Sequence, residues 1–288
     1  MKKTPSHLKV LISTGFALLA FSANSILCRM ALRDHGIDPV SFTVIRVTAG
    51  ALTLSVLSIA AHRRLLLRGT WTAGLFLALY AFMFSWAYVD LAAGTGALLL
   101  FGAVQIVMIA SGFRSGEKIS SRKGIGWLIA AGGTAILTAP SVSTPKLLPA
   151  FLMVCAGAAW GLYSIRGRNS RNPLADNAGN FLRVMPLAPV LLFLTRHTLH
   201  IESRGIWLAI ASGSVASGMG YAVWYTALPH WRATTAANLQ LAVPALTAAM
   251  GVMLFAEPIT LRLLTSTVLV FGGIFLATSA SMATRSLD

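Results

Sequence analysis

Long apolar stretches separated by short polar links run through the whole chain. Between Trp71 and Phe113 the only charged residue is Asp90, and between Gly205 and Trp231 there is no Asp, Glu, Lys or Arg. A helix that crosses the hydrocarbon core of a bilayer needs about 20 mostly apolar residues. Ten stretches meet this requirement: 8–30, 40–61, 71–90, 94–113, 124–140, 147–165, 179–195, 205–228, 233–255 and 261–282. The pattern therefore predicts an all-α membrane protein with ten transmembrane helices.

The composition supports this prediction and excludes several classes of protein. Of the 288 residues 56% are hydrophobic and 11% are charged, whereas a soluble domain has about 25% charged residues. Ten helices leave only short links, so an ATPase or another soluble catalytic domain on this chain is excluded. The net charge of +15 would indicate nucleic acid in a soluble protein. Here the basic residues lie mostly in links between apolar stretches, so we expect a lipid bilayer and no nucleic acid as partner.

The distribution of basic residues predicts the orientation, because cytoplasmic links carry an excess of Lys and Arg. With the N-terminus in the cytoplasm, the inner links and termini hold fifteen basic residues: Lys2, Lys3, Lys9, Arg63, Arg64, Arg68, Arg114, Lys118, Arg122, Lys123, Arg166, Arg168, Arg171, Arg232 and Arg285. The outer links hold six: Arg29, Arg33, Lys146, Arg196, Arg204 and Arg262. We therefore predict that both termini are cytoplasmic. The first apolar stretch exceeds the 7–15 residues of a signal-peptide core, so it is interpreted as a retained helix.

Metal-binding and catalytic patterns are not evident in the sequence. Cys28 and Cys155 lie in different apolar stretches, and neither belongs to a C-x-x-C motif. His197 and His200 share a link too short to supply a third metal ligand. All six histidines are predicted to lie in links or tails: His7, His35, His62, His197, His200 and His230. An intramembrane enzyme needs a catalytic set at membrane depth, so we expect no enzyme activity, no metal and no cofactor.

An internal duplication relates the two halves of the chain. An offset of 140 superposes Glu117 on Glu257 and the pair Gly132-Gly133 on Gly272-Gly273. Upstream, an offset of 137 pairs three further positions: Arg46 with Arg183, Phe84 with Tyr221 and Tyr88 with Tyr225. The chain is therefore predicted to contain two five-helix repeats, 8–140 and 147–282.

Five helices are an odd number, so the second repeat would enter the membrane from the opposite side. Such inverted repeats are common in secondary transporters, which bind their substrate in a central cavity between the repeats. The links agree with this orientation. The link after the fourth helix carries Arg114, Lys118, Arg122 and Lys123, whereas its counterpart after the ninth keeps only Arg262.

The chain resembles the EamA-type drug/metabolite transporter (DMT) superfamily in its ten helices, its Gly-Gly helices and the blocks "GEKIS" at 116–120 and "AEPIT" at 256–260. Within it, the sequence is similar to YddG-type exporters of aromatic amino acids. It departs from the family at 21–25, where "FSANS" replaces the frequent Trp-Gly-Ser-Asn, while "WGLYS" from Trp160 to Ser164 keeps the Trp-Gly. The resemblance implies a bacterial inner-membrane exporter of aromatic amino acids and related small apolar metabolites that works by alternating access.

Aromatic residues recur with a spacing of four in the third and eighth predicted helices, so each set forms a stripe along one face. The aromatic candidates for lining a central cavity are Tyr80, Phe84, Tyr88, Trp160, Tyr163, Tyr221, Trp224 and Tyr225. Rings of this kind suit a flat, apolar substrate. The alternative is that aromatic residues fill helix contacts or lie at the membrane interface. We assign that interfacial role to Trp71, Trp127 and Trp207.

Four side-chain amides lie deep in apolar stretches, where an unsatisfied polar group is costly. They are Asn24, Gln105, Asn238 and Gln240. They could bind the amino and carboxylate groups of a zwitterion, with Ser25 and Ser164 assisting, or they could form hydrogen bonds between helices. Both interpretations stay open. Pro244 is expected to free a backbone carbonyl near Gln240, either beside a cavity or simply at a kink.

The acidic residues lie in links, in tails or near helix ends, and none is predicted at a helix centre, where coupled carriers usually keep one. We therefore expect facilitated diffusion. Ten helices can enclose a cavity on their own, so we expect a monomer. The alternative is an EamA-type exporter of other metabolites or drugs, such as aliphatic amino acids or nucleosides, with proton coupling. Glu117 and Glu257 are expected to order their links. For Arg46 and Arg183 we favour snorkelling to the surface or capping of carbonyls over binding of a substrate carboxylate.

Overall fold

The computed structural model describes residues 7–33, 36–91, 93–117, 120–138, 146–255 and 261–283. These residues form ten helices in chain order: α1 (His7–Arg33), α2 (Pro39–His62), α3 (Trp71–Asp90), α4 (Ala93–Arg114), α5 (Ser121–Thr138), α6 (Leu147–Gly167), α7 (Pro173–Leu194), α8 (Ser203–His230), α9 (Ala233–Gln240 and Ala242–Phe255) and α10 (Leu261–Ala283). Within the described residues, α1, α2, α3, α6, α7 and α8 are long and apolar enough to cross a membrane. The prediction of an all-helical membrane protein with ten helices is confirmed.

The start of α7 differs from the prediction, which placed it at residue 179. The helix begins at Pro173, where the Asn172 side chain accepts a hydrogen bond from the Ala175 amide at 3.2 Å. An Asn cap followed by proline is a strong helix start. The polar residues that follow were interpreted as a link. Asp176, predicted to lie in a link, is instead in the first turn of this helix.

Three of the helices are irregular. The regular winding of α7 stops between Val184 and Leu187, around Pro186. In α8 the segment Ser212–Met219 is wound as a π-helix, in which hydrogen bonds join residues five apart. The winding of α9 is broken at Leu241. Pro244 lies three residues later, so the predicted loosening of this helix near Gln240 is confirmed.

Glycines allow two pairs of helices to approach closely. α5 packs against α10, and the Gly-Gly pairs found by the internal offset lie at this contact: Gly133 faces the backbone of α10, and Gly273 faces that of α5. In the second pair, Gly157 of α6 lies against the Leu100 carbonyl of α4. Gly161, one turn further along α6, lies against the Val107 side chain of the same helix α4.

Contacts between links close the structure at both ends of α2. Before α2, the Asp38 amide donates to the His200 carbonyl and the Glu202 amide donates to the Gly36 carbonyl, each at 2.8 Å. After α2, the Gly69 amide donates to the Asp176 carboxylate at 3.2 Å. The first set joins the link before α2 to the link before α8, and the second set joins the link after α2 to the start of α7. The described residues therefore form contacts between helices at both ends of α2 at the same time.

The carboxylate of Glu117, at the end of α4, holds the start of α9. It accepts hydrogen bonds from the Ala233 amide at 2.9 Å, the Thr234 amide at 3.3 Å and the Thr234 hydroxyl at 2.7 Å. It also lies 3.7 Å from the guanidinium of Arg168, which follows α6. The prediction that Glu117 orders its link is confirmed, whereas Glu257 lies outside the described residues.

The Glu117→Ala variant is expected to lower the free energy of unfolding by about 1–3 kcal/mol, because it leaves two amides at the start of α9 without their acceptor. Thermal unfolding of the purified protein in detergent measures this loss. The matched control is Glu202→Ala, whose exposed carboxylate pairs with the exposed His200 and should contribute little. An equal loss of stability in the two variants would contradict the anchoring role of Glu117.

Candidate functional site

A stripe of buried aromatic rings on α3 forms one side of a central cluster. Tyr80, Phe84 and Tyr88 follow one another at intervals of four residues, which places them on one face of the helix. Their ring centres are 5.2 Å apart for the first two and 4.7 Å apart for the last two. All three side chains are buried. The stripe predicted on this helix therefore points to the interior.

Rings from α6 and α8 complete this aromatic cluster. The Trp160 ring centre lies 5.1 Å from that of Tyr80 and 4.6 Å from that of Tyr221. Tyr163 and Tyr225 are in contact as well, with ring centres 5.0 Å apart. The rings predicted from the two halves of the chain are thus brought together in the structure.

Phe21 of α1 is a member of the aromatic cluster that the sequence analysis missed. Its ring centre lies 5.1 Å from Trp160, 5.9 Å from Tyr221 and 5.6 Å from Trp224. It is this ring that joins Trp224 to the others. Nothing in the sequence distinguishes Phe21 from the other apolar residues of α1, because the other phenylalanine of this helix, Phe16, is five positions away and therefore not on the same face.

The aromatic cluster leaves a small cavity of about 10 Å³. Its lining consists of Phe21, Ser25, Tyr80, Phe84, Leu100, Phe101 and Trp160. Such a volume has room for about one water molecule. A ligand the size of an amino acid therefore fits among these rings only after they separate.

Two of the four predicted amides contact the aromatic cluster. The Asn24 amide nitrogen donates to the Tyr80 hydroxyl at 3.1 Å, and the Asn24 oxygen accepts from Ser212 at 2.6 Å. The Gln240 oxygen accepts from the Trp160 indole N–H at 2.8 Å. Both amides are buried, and each links two or more helices. They fix the positions of the Tyr80 and Trp160 rings.

The other two amides lie elsewhere. The Asn238 amide nitrogen contacts the Ile274 carbonyl of α10 at 3.5 Å, so this side chain is directed towards the α9–α10 contact. Gln105 is buried on α4, and its Nε2 has no hydrogen-bond partner among the described residues. The structure thus divides the four amides between the aromatic cluster and the surrounding helix contacts.

Arg46 of α2 is buried beside the aromatic cluster, with 1% of its surface exposed. Its Nε donates to the Ser217 hydroxyl at 3.0 Å. Its Nη2 donates to the hydroxyls of Tyr80 at 3.2 Å and Tyr221 at 2.8 Å. The preferred interpretation of Arg46, snorkelling or capping of carbonyls, is wrong.

The burial of Arg46 follows from the close approach of α2 and α8. A Cβ atom at Gly50 would lie 3.0 Å from the Gly213 carbonyl oxygen, so the two backbones are nearly in contact there. The guanidinium is enclosed between these helices and α3 and is almost completely buried. No local pattern in the sequence indicates this approach, because it depends on glycines far apart in the chain.

Arg183, the predicted repeat mate of Arg46, has a different environment. Its Nη1 donates to the Arg68 carbonyl at 2.6 Å and to the Gly179 carbonyl at 2.7 Å. Its guanidinium lies 5.7 Å from the centre of the Trp71 ring. The prediction that this arginine caps carbonyls is confirmed, and only Arg46 belongs to the candidate site.

Comparisons with known proteins agree with this architecture. The EamA-like transporter family matches residues 147–279. An uncharacterised protein of Pseudomonas aeruginosa is 47% identical over 269 residues, which cover 93% of this chain and 94% of that protein. This chain belongs to the EamA-like transporter family. It is therefore a multi-pass membrane transporter of small metabolites and not an enzyme.

More distant relatives of this EamA-like transporter extend the comparison. An uncharacterised transporter of Archaeoglobus fulgidus is 28% identical over 193 residues, 65% of this chain and 68% of that protein. A probable amino-acid metabolite efflux pump of Salmonella typhimurium is 23% identical over 212 residues, 68% of this chain and 71% of that protein. A solved crystal structure, 19% identical, superposes with a TM-score of 0.81 over 96% of this chain and 99% of the other. This last similarity shows the fold.

Proposed function

We propose that this transporter exports aromatic amino acids and related small apolar metabolites across the bacterial inner membrane, like the YddG-type exporters. The observation that carries the proposal is the buried aromatic cluster of α1, α3, α6 and α8. Aromatic rings in a protein interior bind flat apolar groups through large contact areas and favourable ring geometries. The relative described as a probable amino-acid metabolite efflux pump supports a substrate of amino-acid type.

The proposed mechanism is alternating access between two inverted repeats, residues 8–140 and 147–282. The link contacts at both ends of α2 support it, because one set must open to admit a substrate while the other stays closed. The small size of the cavity supports it as well, since the rings must separate before an amino acid can enter. Movement of one repeat against the other would achieve both changes.

We propose that transport is not coupled to protons. In the described part of the chain, the carboxylates lie in links or near helix ends, where each has a partner. They are Asp38, Asp90, Glu117, Asp176 and Glu202. Proton-coupled carriers usually keep an ionisable group at membrane depth. The substrate would then move down its own concentration gradient.

Counterflow in proteoliposomes tests the substrate. Vesicles preloaded with unlabelled phenylalanine are expected to accumulate labelled phenylalanine, and tryptophan should compete with it while lysine should not. Competition by alanine as strong as that by tryptophan would instead favour the alternative of an aliphatic amino-acid exporter. In the same vesicles a protonophore should leave phenylalanine efflux unchanged, and its collapse would contradict uncoupled transport. Vesicles without protein provide the control.

A further inference from the structure

Among the described residues, no carboxylate pairs with the positive charge of Arg46. Arginine stays protonated in proteins, and burying a charge without a counter-ion is costly. The carboxylates of the described residues are engaged in links and at helix ends, away from this side chain. One guanidinium nitrogen, Nη1, has no hydrogen-bond partner among the described residues. A charge retained at this cost in a membrane protein indicates a functional group.

Around Arg46, hydrogen-bond donors outnumber the acceptors that they share. Three donors converge on the Tyr80 hydroxyl oxygen: Arg46 Nη2 at 3.2 Å, the Tyr221 hydroxyl at 3.1 Å and the Asn24 amide at 3.1 Å. The Arg46 Nε and Nη2 atoms themselves are satisfied by neutral hydroxyl oxygens, which accept hydrogen bonds but carry no negative charge. A group of this composition is complementary to an anion, which would both accept these hydrogen bonds and neutralise the guanidinium.

We infer that Arg46 is the receptor for the carboxylate of the transported substrate. The guanidinium centre lies 5.3 Å from the centre of the Tyr80 ring and 5.2 Å from that of Phe84. Both rings line the cavity. A carboxylate at Arg46 therefore places the apolar part of the same molecule against the aromatic cluster. The substrate class is an apolar monocarboxylate, and an amine without a carboxylate is excluded by repulsion from the guanidinium.

This inference rests on the proposed transport function for the apolar part of the substrate, while the carboxylate requirement comes from Arg46 alone. Equilibrium binding to the purified protein in detergent tests it with matched ligands. 3-Phenylpropionate carries a ring and a carboxylate, phenethylamine carries a ring and an amine, and 4-methylvalerate carries a carboxylate without a ring. The wild-type protein is expected to bind 3-phenylpropionate at least about tenfold more tightly than phenethylamine.

The Arg46→Gln variant is expected to lose this preference, with the ratio of the two affinities falling close to one. Arg46→Lys should keep part of it, because it retains the charge but loses the planar fork of donors. The matched control is Arg196→Gln, since Arg196 is an exposed arginine that contacts Phe193. A variant that does not fold leaves the ligand ratio of the wild-type protein as the test.

The outcomes separate the two proposals. Equal binding of 3-phenylpropionate and phenethylamine to the wild-type protein, or an unchanged ratio in a folded Arg46→Gln variant, overturns the carboxylate receptor and leaves the aromatic proposal standing. Binding of 4-methylvalerate as tight as that of 3-phenylpropionate, with both dependent on Arg46, supports the receptor and overturns the aromatic preference. If neither carboxylate binds to the folded protein while phenethylamine does, the carboxylate receptor is overturned and the aromatic proposal stands; if none of the three ligands binds, both proposals are overturned.

Discussion

The Trp160→Ala variant is expected to bind phenylalanine about tenfold more weakly or worse than the wild-type protein, because it removes a tryptophan ring from the centre of the aromatic cluster. Trp160 contacts the rings of Phe21, Tyr80, Tyr163 and Tyr221. Its removal takes away contact area for an aromatic substrate and loosens the rings that remain. Equilibrium binding of labelled phenylalanine to the purified protein measures the effect.

Two further variants distinguish the effect of losing the Trp160 ring from a general loss of folding. Trp207→Ala removes a tryptophan that is 70% exposed and lies near a helix end, so it should bind phenylalanine normally. Trp160→Phe keeps a ring but loses the 2.8 Å hydrogen bond to Gln240, so its loss of affinity should be smaller than that of Trp160→Ala. Normal binding by a folded Trp160→Ala protein would argue against the aromatic cluster as the binding site.

The Gly273→Ala variant is expected to destabilise the folded protein by about 1–3 kcal/mol, because α10 has no room for a side chain at this position. A Cβ atom there would lie 2.5 Å from both the Ala130 nitrogen and the Gly126 carbonyl oxygen of α5. These are backbone atoms, which can move away only if the two helices separate. Thermal unfolding in detergent measures the loss.

The neighbouring glycine provides a control one residue away. No described atom lies within 4 Å of a Cβ atom placed at Gly272, so Gly272→Ala should keep or slightly raise the stability, since alanine favours a helix by about 1 kcal/mol. If the two alanine variants unfolded at the same temperature, the close contact of α5 and α10 would be wrong.

The sequence was sufficient to predict the helices and most of the aromatic cluster. The absence of charge over stretches of about 20 residues predicts membrane helices directly, and the structure has a helix for every stretch. The spacing of four places Tyr80, Phe84 and Tyr88 on one face of α3, whichever way that face points. The internal offset then paired Phe84 with Tyr221, and these two residues belong to the same cluster in the structure.

The features that could not be predicted depend on contacts between distant parts of the chain. An arginine in the second turn of a helix usually reaches the membrane surface, and no local pattern distinguishes Arg46 from such a residue. Its burial requires Gly50 and Gly213 to meet, 163 positions apart in the sequence. Phe21 joins the cluster for a similar reason, through rings on α6 and α8. The start of α7 was predicted too late in the chain because the residues after Asn172 are polar, although the capping residues at this point specify a helix start.

The π-helical segment of α8 makes the length of that helix as important as its side chains. Ser212 donates to Asn24, and Ser217 accepts from Arg46, so both serines face the same group of polar residues although they are five positions apart. In a regular α-helix two such residues would point about 140° apart, whereas the wider π-helical turn brings them towards the same side of the helix. A relative without one residue between these serines would reach the same alignment with a regular α-helix, in which residues four positions apart lie on one face. A one-residue gap within this segment is therefore compatible with the same polar site, whereas regular α-helical winding across all five positions would turn one serine away from it.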